Sequence, residues 1–394
     1  MAENSQFGMN TKLITSGVAR SHFDETAEAL YLTSGYVYDS AEEAEAAFEG
    51  DVERYVYSRY GNPTVTALET KMAMLEGAEA CLATNTGMSA IFAAMACQLQ
   101  AGDRVVASRA LFGACHAILT KILPKWGIAV ELLDGRDISQ WEQALKTPCK
   151  MVFLETPSNP ILHLVDLKAV SDLAHKAGAR VVVDNVFASP IHQKPLDLGA
   201  DIVCYSATKH IDGQGRVMGG LVLGTNAFIK DELLPFYRQT GSVISPFNAW
   251  VLLKSVETLP LRIAAQSQSA AMIADYLASH EKILSVSYPG HPSHPQHSLA
   301  KDQMTGFGAL LAFDVKGGKE AAFGVLNHLS LIEISNNLGD SKTLACHPAS
   351  TTHMNIGAKE RACLEISDGH IRLSVGLEDC EDLIADLARA LANL

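Results

Sequence analysis

From about Asn62 to about Gly224 the chain alternates two hydrophobic patterns. In "NPTVTALETKMAMLEG" apolar residues recur three and four apart, so Val65, Leu68, Met72 and Leu75 share one face. Asn62 stands where a cap belongs, Pro63 at the first position and Gly77 just past the end, and the stretch predicts a helix. Short unbroken apolar runs follow: "AEACLAT", "DRVVAS", "AVELL", "KMVFLET", "RVVVDN", "DIVCYSA" and "GGLVLG", most of them separated by helical patterns such as "LVDLKAVSDLAHKAG". A strand that is apolar at successive positions is buried on both faces, so these runs predict a mostly parallel sheet covered by helices.

The flanks differ. Residues 1–61 read as an irregular arm with one short helix, capped by Ser40 with Glu43 three residues on. After the core, "SPFNAWVLLKSVETLPLRIAAQSQSAAMIADYLASH" reads as one long helix bent near Pro260. "SYPGHPSHPQHS" reads as a connector, and the remainder mixes strands and helices. The expected organisation is an arm (1–61), an α/β domain (62–258) and a smaller α+β domain (259–394).

Composition narrows the class. With 48% hydrophobic and only 19% charged residues over 394, the chain has enough apolar surface for a large core and for subunit interfaces. No apolar stretch is long enough to span a membrane, and the first residues lack an apolar leader, so a cytoplasmic location is expected. The eight cysteines form no C-x-x-C pair, which fits a reduced compartment without a thiolate metal site. A net charge of −13 argues against nucleic acid and against anionic membranes as partners.

Four features fall at predicted strand ends, where ligands bind in an open parallel sheet. Gly87 in "TNTGMSAIFAAM" is either a plain turn or a point where backbone N–H groups approach a phosphate. Asp184, ending "VVVD", is either a turn residue or a buried acid facing a cation such as a pyridinium. In "YSATKHIDGQGR", Lys209 is either a solvated lysine or a desolvated amine able to form a Schiff base, with Ser206 and Thr208 as nearby hydroxyls. Arg372 in "HIRLSVGLED" is either an ion-paired strand residue or a clamp for a carboxylate. No G-x-G-x-x-G pattern opens the first helix, which argues against a nicotinamide dehydrogenase.

Over nearly its whole length the sequence resembles the Cys/Met-metabolism family of pyridoxal-phosphate enzymes. The matching stretches are "YSRYGNPT", "TGMSAI", "ETPSNP", "VDNVFASP", "SATKHIDGQGR", "GHPSHPQHSLAK", "NLGDSKTLACHPASTTH" and "IRLSVGLED". The resemblance implies a fold type I, aminotransferase-like architecture with a seven-stranded, mostly parallel central sheet, and pyridoxal 5′-phosphate as cofactor. It implies that Lys209 carries the Schiff base and that Asp184 holds the pyridine nitrogen protonated. Backbone N–H groups of Gly87 and Met88 and the hydroxyls of Ser206 and Thr208 would take the phosphate, and Phe112 would stack on the ring. Asn159 would contact the ring hydroxyl or the substrate carboxylate, with Arg372 as the main carboxylate clamp, assisted near Asn337 and Leu338. Tyr57 and Arg59 would reach the phosphate of a neighbouring subunit, which implies a homotetramer built as a dimer of catalytic dimers.

Phe112 in "RALFGACH" stands where many members have tyrosine, so a phenolic proton is missing there. This departs from the lyases and is similar to the family's O-succinylhomoserine sulfhydrylases, as are "DGQGR", "NLGDSKTL" and Asn337 in place of serine. The implied chemistry is γ-replacement, in which sulfide displaces the acyl group of an O-acylated homoserine to give homocysteine. Alternatives are cystathionine γ-synthase, an O-acetylhomoserine sulfhydrylase, a methionine or cystathionine γ-lyase, or a non-catalytic relative. Arg216 is either a binder for the distal carboxylate of a succinyl ester or a structural arginine. His291, His294, His297, His347 and His353 are read as structural, and no metal is expected.

Overall fold

The computed structural model describes residues 7–17 and 20–394, so residues 1–6 and 18–19 of the expected arm lie outside the described residues. The seven apolar runs become β1 (Ala80–Thr84), β2 (Arg104–Ser108), β3 (Ala129–Leu133), β4 (Met151–Glu155), β5 (Arg180–Asp184), β6 (Ile202–Ser206) and β7 (Gly220–Gly224). They form one mixed sheet in the order β1-β7-β6-β5-β4-β2-β3, in which β7 alone runs against its neighbours. Alternation within β5 explains the unbroken runs. Val181 and Val183 join the cluster that holds Leu68, Trp141, Val170 and Leu252, whereas Val182 joins the opposite one with Ile91, Met95 and Leu119. Helices therefore cover both faces, and each buried aliphatic side chain contributes about 1.5–3 kcal/mol.

The helix Pro63–Glu76 follows its sequence signals closely. The Asn62 side chain accepts the Thr64 N–H, Gly77 ends the helix in the left-handed region, and Val65, Leu68, Met72 and Leu75 are buried. In the arm, the helix Ala41–Glu49 is capped by Ser40, whose hydroxyl accepts the Glu43 N–H at 3.1 Å.

The six co-directional strands carry their carboxyl ends to one edge. There β1 leads to Gly87, β2 to Phe112 and β4 to Asn159, while β5 ends on Asp184 and β6 runs into Ser206 and the turn that holds Lys209. The reversed β7 begins at the same edge, where Gly220 pairs with both Thr84 and Ser206.

A second sheet contains β8 (Ile283–Ser287), β9 (Leu310–Val315), β10 (Glu333–Ile334), β11 (Leu344–Cys346) and β12 (His370–Ser374), in the order β10-β11-β12-β9-β8. Its pairs are antiparallel except β10 with β11. The helices Leu259–Ala278, Gly318–His328 and Cys380–Ala392 share one apolar cluster with it, so this is the smaller α+β unit.

Two elements differ from the sequence reading. The long bent helix is two helices, Pro246–Val256 and Leu259–Ala278, with Pro260 inside the first turn of the second. A proline there costs no hydrogen bond, because the first helical N–H groups have no intrahelical partner. A helix at Met9–Thr15 was not expected: its cap is Gly8, which has no side chain to signal it, and Leu13 is its one buried residue.

Candidate active site

Lys209 lies in a tight turn directly after β6. Its N–H donates to the Ser206 carbonyl, and its own carbonyl accepts from Gly213. The turn is fixed from outside by Arg262, whose guanidinium donates to the carbonyls of His210 at 2.7 Å and Ile211 at 3.2 Å. The loop between β10 and β11 lies against it: a Cβ on Gly339, which has φ +71°, would stand 2.5 Å from the His210 nitrogen. The same loop supplies Asn337, whose Oδ1 accepts from Lys209 Nζ at 2.5 Å. Burial, aided by the Arg372 cation, lowers the Lys209 pKa to about 8, so far more of its amine is neutral near physiological pH than for a solvated lysine.

Two acids close the neighbouring strands β5 and β4 at the same edge of the sheet. Asp184 and Glu155 are register partners at the ends of β5 and β4. Asp184 takes one hydrogen bond, from the Val186 N–H, and burial raises its pKa to about 7. Glu155 is also buried, and its burial together with the charge of Asp184 pushes it well above the usual carboxylate range. Its Oε2 accepts the Phe112 N–H and its Oε1 the Asn159 N–H, each at 2.7 Å.

Arg372, on β12, is 1% exposed. It donates to Asn159 Oδ1 and to the carbonyls of Asn336 and Asn337, each at 3.0 Å, so its orientation is fixed by three acceptors. Its Nε has no partner among the described residues, which leaves a buried donor unsatisfied in a group that is costly to bury. Leu338 is buried beside this loop with Leu310 and Ala312.

The turn after β1 opens the helix Gly87–Ala96. Its cap Thr86 accepts the Ser89 N–H, while the Gly87 and Met88 N–H groups belong to the helix end and have no intrahelical acceptor. Gly87 lies on the end of β6 so closely that a Cβ there would stand 2.5 Å from Ser206 Cβ. Thr208 is tied to Gly219, donating to its carbonyl and accepting its N–H.

The structure thus brings Lys209, Asn337, Arg372, Asn159 and Phe112 into one bonded group through Glu155, with Asp184, Gly87 and Ser206 on the adjoining strand ends. Tyr57 and Arg59 stand apart from it. Tyr57 is 43% exposed, and Arg59 stacks on Tyr57 and Tyr60, bonds the Arg238 carbonyl and lines a separate cavity of about 940 Å³. Arg216 is largely committed: it pairs with the buried Asp212 at 3.0 Å and bonds Ser255, yet its side chain is 40% exposed and lines a cavity of about 420 Å³ with Thr208, Met218, Asn248 and Asn337. Sequence reasoning missed Glu155 and Arg262. The signal for Glu155 was present, since it ends an apolar strand run just as Asp184 does.

These residues suit pyridoxal 5′-phosphate. A helix end with free N–H groups and a neighbouring serine could hold its phosphate, a desolvated amine could react with its aldehyde, and a buried acid could face its ring nitrogen. Among the described residues no group of histidines, cysteines and acids is arranged to hold a metal ion. His291, His294 and His297 instead make turn contacts, to Ser293, Gln296 and Pro289. His347 bonds Ser350 and the Asp368 carbonyl, and His353 is buried beside Thr352.

The chain is similar to known proteins over nearly its whole length. Residues 10–392 match the family model described as Cys/Met metabolism PLP-dependent enzyme. An O-succinylhomoserine sulfhydrylase of Mycobacterium tuberculosis is 53% identical over 96% of this chain and 94% of its own. An L-methionine gamma-lyase of Porphyromonas gingivalis is 43% identical over 98% of each. A solved Campylobacter jejuni structure that carries N′-pyridoxyl-lysine-5′-monophosphate superposes with a TM-score of 0.93 at 29% identity, covering 98% of this chain and 100% of that one.

Proposed function

The chain belongs to the Cys/Met-metabolism family of PLP-dependent enzymes, and from that premise we propose that it catalyses γ-replacement on O-succinyl-L-homoserine, with sulfide as nucleophile and L-homocysteine and succinate as products. The observation that carries this reading is the 53% identity to a relative whose name specifies the succinyl ester and the sulfhydrylase reaction. Phe112 supports it. A lyase-like tyrosine would add a phenolic proton donor at the wall held by Glu155, and this chain has none there.

Pyridoxal 5′-phosphate, when bound, supplies an aldehyde that condenses with amines and a ring that draws electrons away from the substrate Cα. The Gly87 and Met88 N–H groups with Ser206 and Thr208 bind its phosphate. Asp184, whose pKa burial raises to about 7, would hold a proton at the ring nitrogen, and that cation would in turn favour its ionised form. Lys209, with its pKa near 8, is a base strong enough to take the Cα proton and close enough to neutrality to be free for it. Arg372 orients the substrate by its α-carboxylate, its guanidinium held by Asn159, Asn336 and Asn337. A carboxylate leaves without needing a strong acid beside it, so Phe112 is compatible with an acyl leaving group.

Arg216, which lines the cavity beside Asn337, attracts the distal carboxylate that a succinyl ester has and an acetyl ester lacks. Tyr57 and Arg59 complete the site of a second subunit, within a homotetramer made of catalytic dimers. Exposed apolar residues of the arm, Phe23, Leu32, Val37 and Phe48, supply surface for such packing. No described helix is long and apolar enough to cross a membrane, and a cytoplasmic location fits the substrates.

The test is a four-way assay of O-succinyl- and O-acetylhomoserine, each with sulfide or cysteine, reading homocysteine, cystathionine and 2-oxobutyrate. The proposal expects homocysteine from the succinyl ester with sulfide as the fastest reaction. Dominant cystathionine, dominant 2-oxobutyrate or a faster acetyl ester each replaces it with another activity of the family.

A further inference from the structure

Glu155 is placed unlike any other acid of the site. It ends β4 beside Asp184, is 3% exposed, and spends its two carboxylate oxygens on two different segments. Oε2 takes the N–H of Phe112 in the turn after β2, and Oε1 the N–H of Asn159 in the loop after β4. Asn159 in turn accepts from Arg372, which also bonds the carbonyls of the loop that holds Asn337 against Lys209. A continuous path of bonds therefore runs from the Phe112 wall through Glu155 to Asn159, Arg372, Asn337 and Lys209.

We propose that Glu155 is a positioning residue that sets Phe112 and Asn159 at a fixed separation, and so aligns the ring-stacking wall of the site with its carboxylate clamp. The proposal rests on the cofactor and substrate roles assigned above to Phe112, Asn159 and Arg372. Only a carboxylate can do this from that place. Both oxygens must accept, and an amide would turn its NH₂ toward one of the two N–H donors. Burial and the charge of Asp184 oppose ionisation at this position, and the two N–H donors offset only part of that effect.

The experiment uses the holoenzyme and its Glu155→Gln variant. Glu155→Gln keeps the size and loses one of the two bonds. The readouts are pyridoxal phosphate affinity from equilibrium dialysis, visible circular dichroism of the bound cofactor, and KM against kcat. Leaving one buried N–H donor without its acceptor predicts about a tenfold to hundredfold weaker cofactor affinity, a weaker dichroic band, and a KM that rises more than kcat falls. Because Glu155 acts through the Phe112 wall, Phe112→Ala combined with Glu155→Gln should weaken affinity by less than the product of the two single effects.

Unchanged affinity and dichroism in Glu155→Gln would overturn the proposal, as would strictly multiplicative effects in the double variant. If far-ultraviolet dichroism shows that Glu155→Gln does not fold, Glu155→Asp carries the same test, since it keeps two acceptors but cannot reach both donors. The cofactor readouts need no substrate. An enzyme that fails on O-succinylhomoserine yet loosens its cofactor in Glu155→Gln would refute the substrate assignment and leave the Glu155 role standing.

Discussion

Gly87→Ala adds one methyl group at the most crowded point of the site. The new Cβ would stand 2.5 Å from Ser206 Cβ and 2.8 Å from its Cα and Oγ, where ordinary contacts begin about 3.4 Å apart. Ser206 belongs to β6, which is paired on both sides, so the strand cannot retreat, and the helix Gly87–Ala96 must move instead. Overpacking of this kind costs about 1–3 kcal/mol, and the better helix propensity of alanine returns at most about 1 kcal/mol. The stability loss is thus modest, whereas the functional loss is not. Moving the helix end misdirects the N–H groups proposed to bind the phosphate. If one charge-assisted bond is lost, cofactor affinity falls about tenfold to a hundredfold. Gly77→Ala is the control: it forces alanine into the left-handed region at φ +84° with no atom within 4 Å, costing roughly 1–2 kcal/mol of backbone strain away from the site. Thermal melts and equilibrium dialysis of both variants decide the matter. The reasoning fails if Gly87→Ala binds pyridoxal phosphate as tightly as the parent, or if Gly77→Ala loosens it equally.

Further predictions follow from individual residues. The rate of cofactor loading onto apo-protein should climb with pH through about 8 and level off about one unit above it, because the neutral Lys209 amine is the reactive form and predominates above its pKa. At pH 7 that makes the amine roughly two-hundredfold more available than an ordinary lysine near 10.4, and a rate still climbing at pH 10 would contradict it. Arg216→Ala should lower kcat/KM more for the succinyl than for the acetyl ester; an equal fall leaves Arg216 only its contacts with Asp212 and Ser255. Phe112→Tyr should raise 2-oxobutyrate relative to homocysteine, and an unchanged product ratio removes the proposed link between the missing hydroxyl and replacement.

What the sequence revealed and what it hid divide along a physical line. The sheet was legible because its inner strands are buried on both faces, which leaves nearly unbroken apolar runs, and because turn glycines and a capped helix mark the gaps; only the edge strand β3 is half-exposed. Lys209 and Asp184 were legible because polar residues at the ends of such runs stand out. Glu155 ends a run in the same way, but its partners are the backbone N–H groups of Phe112 and Asn159, which any residue could supply. Arg262 lies on a helix legible as such in the sequence, where an arginine passes for solvated surface. Its carbonyl acceptors at His210 and Ile211 lie about fifty residues away along the chain and leave no mark on composition. The bond from Lys209 to Asn337 spans 128 residues and likewise follows no spacing rule. The groups proposed to act on ligands are thus distinguished by residue type, whereas those that hold them are distinguished by contacts to backbone. A periodicity or motif search finds the former, and only three-dimensional structure exposes the latter.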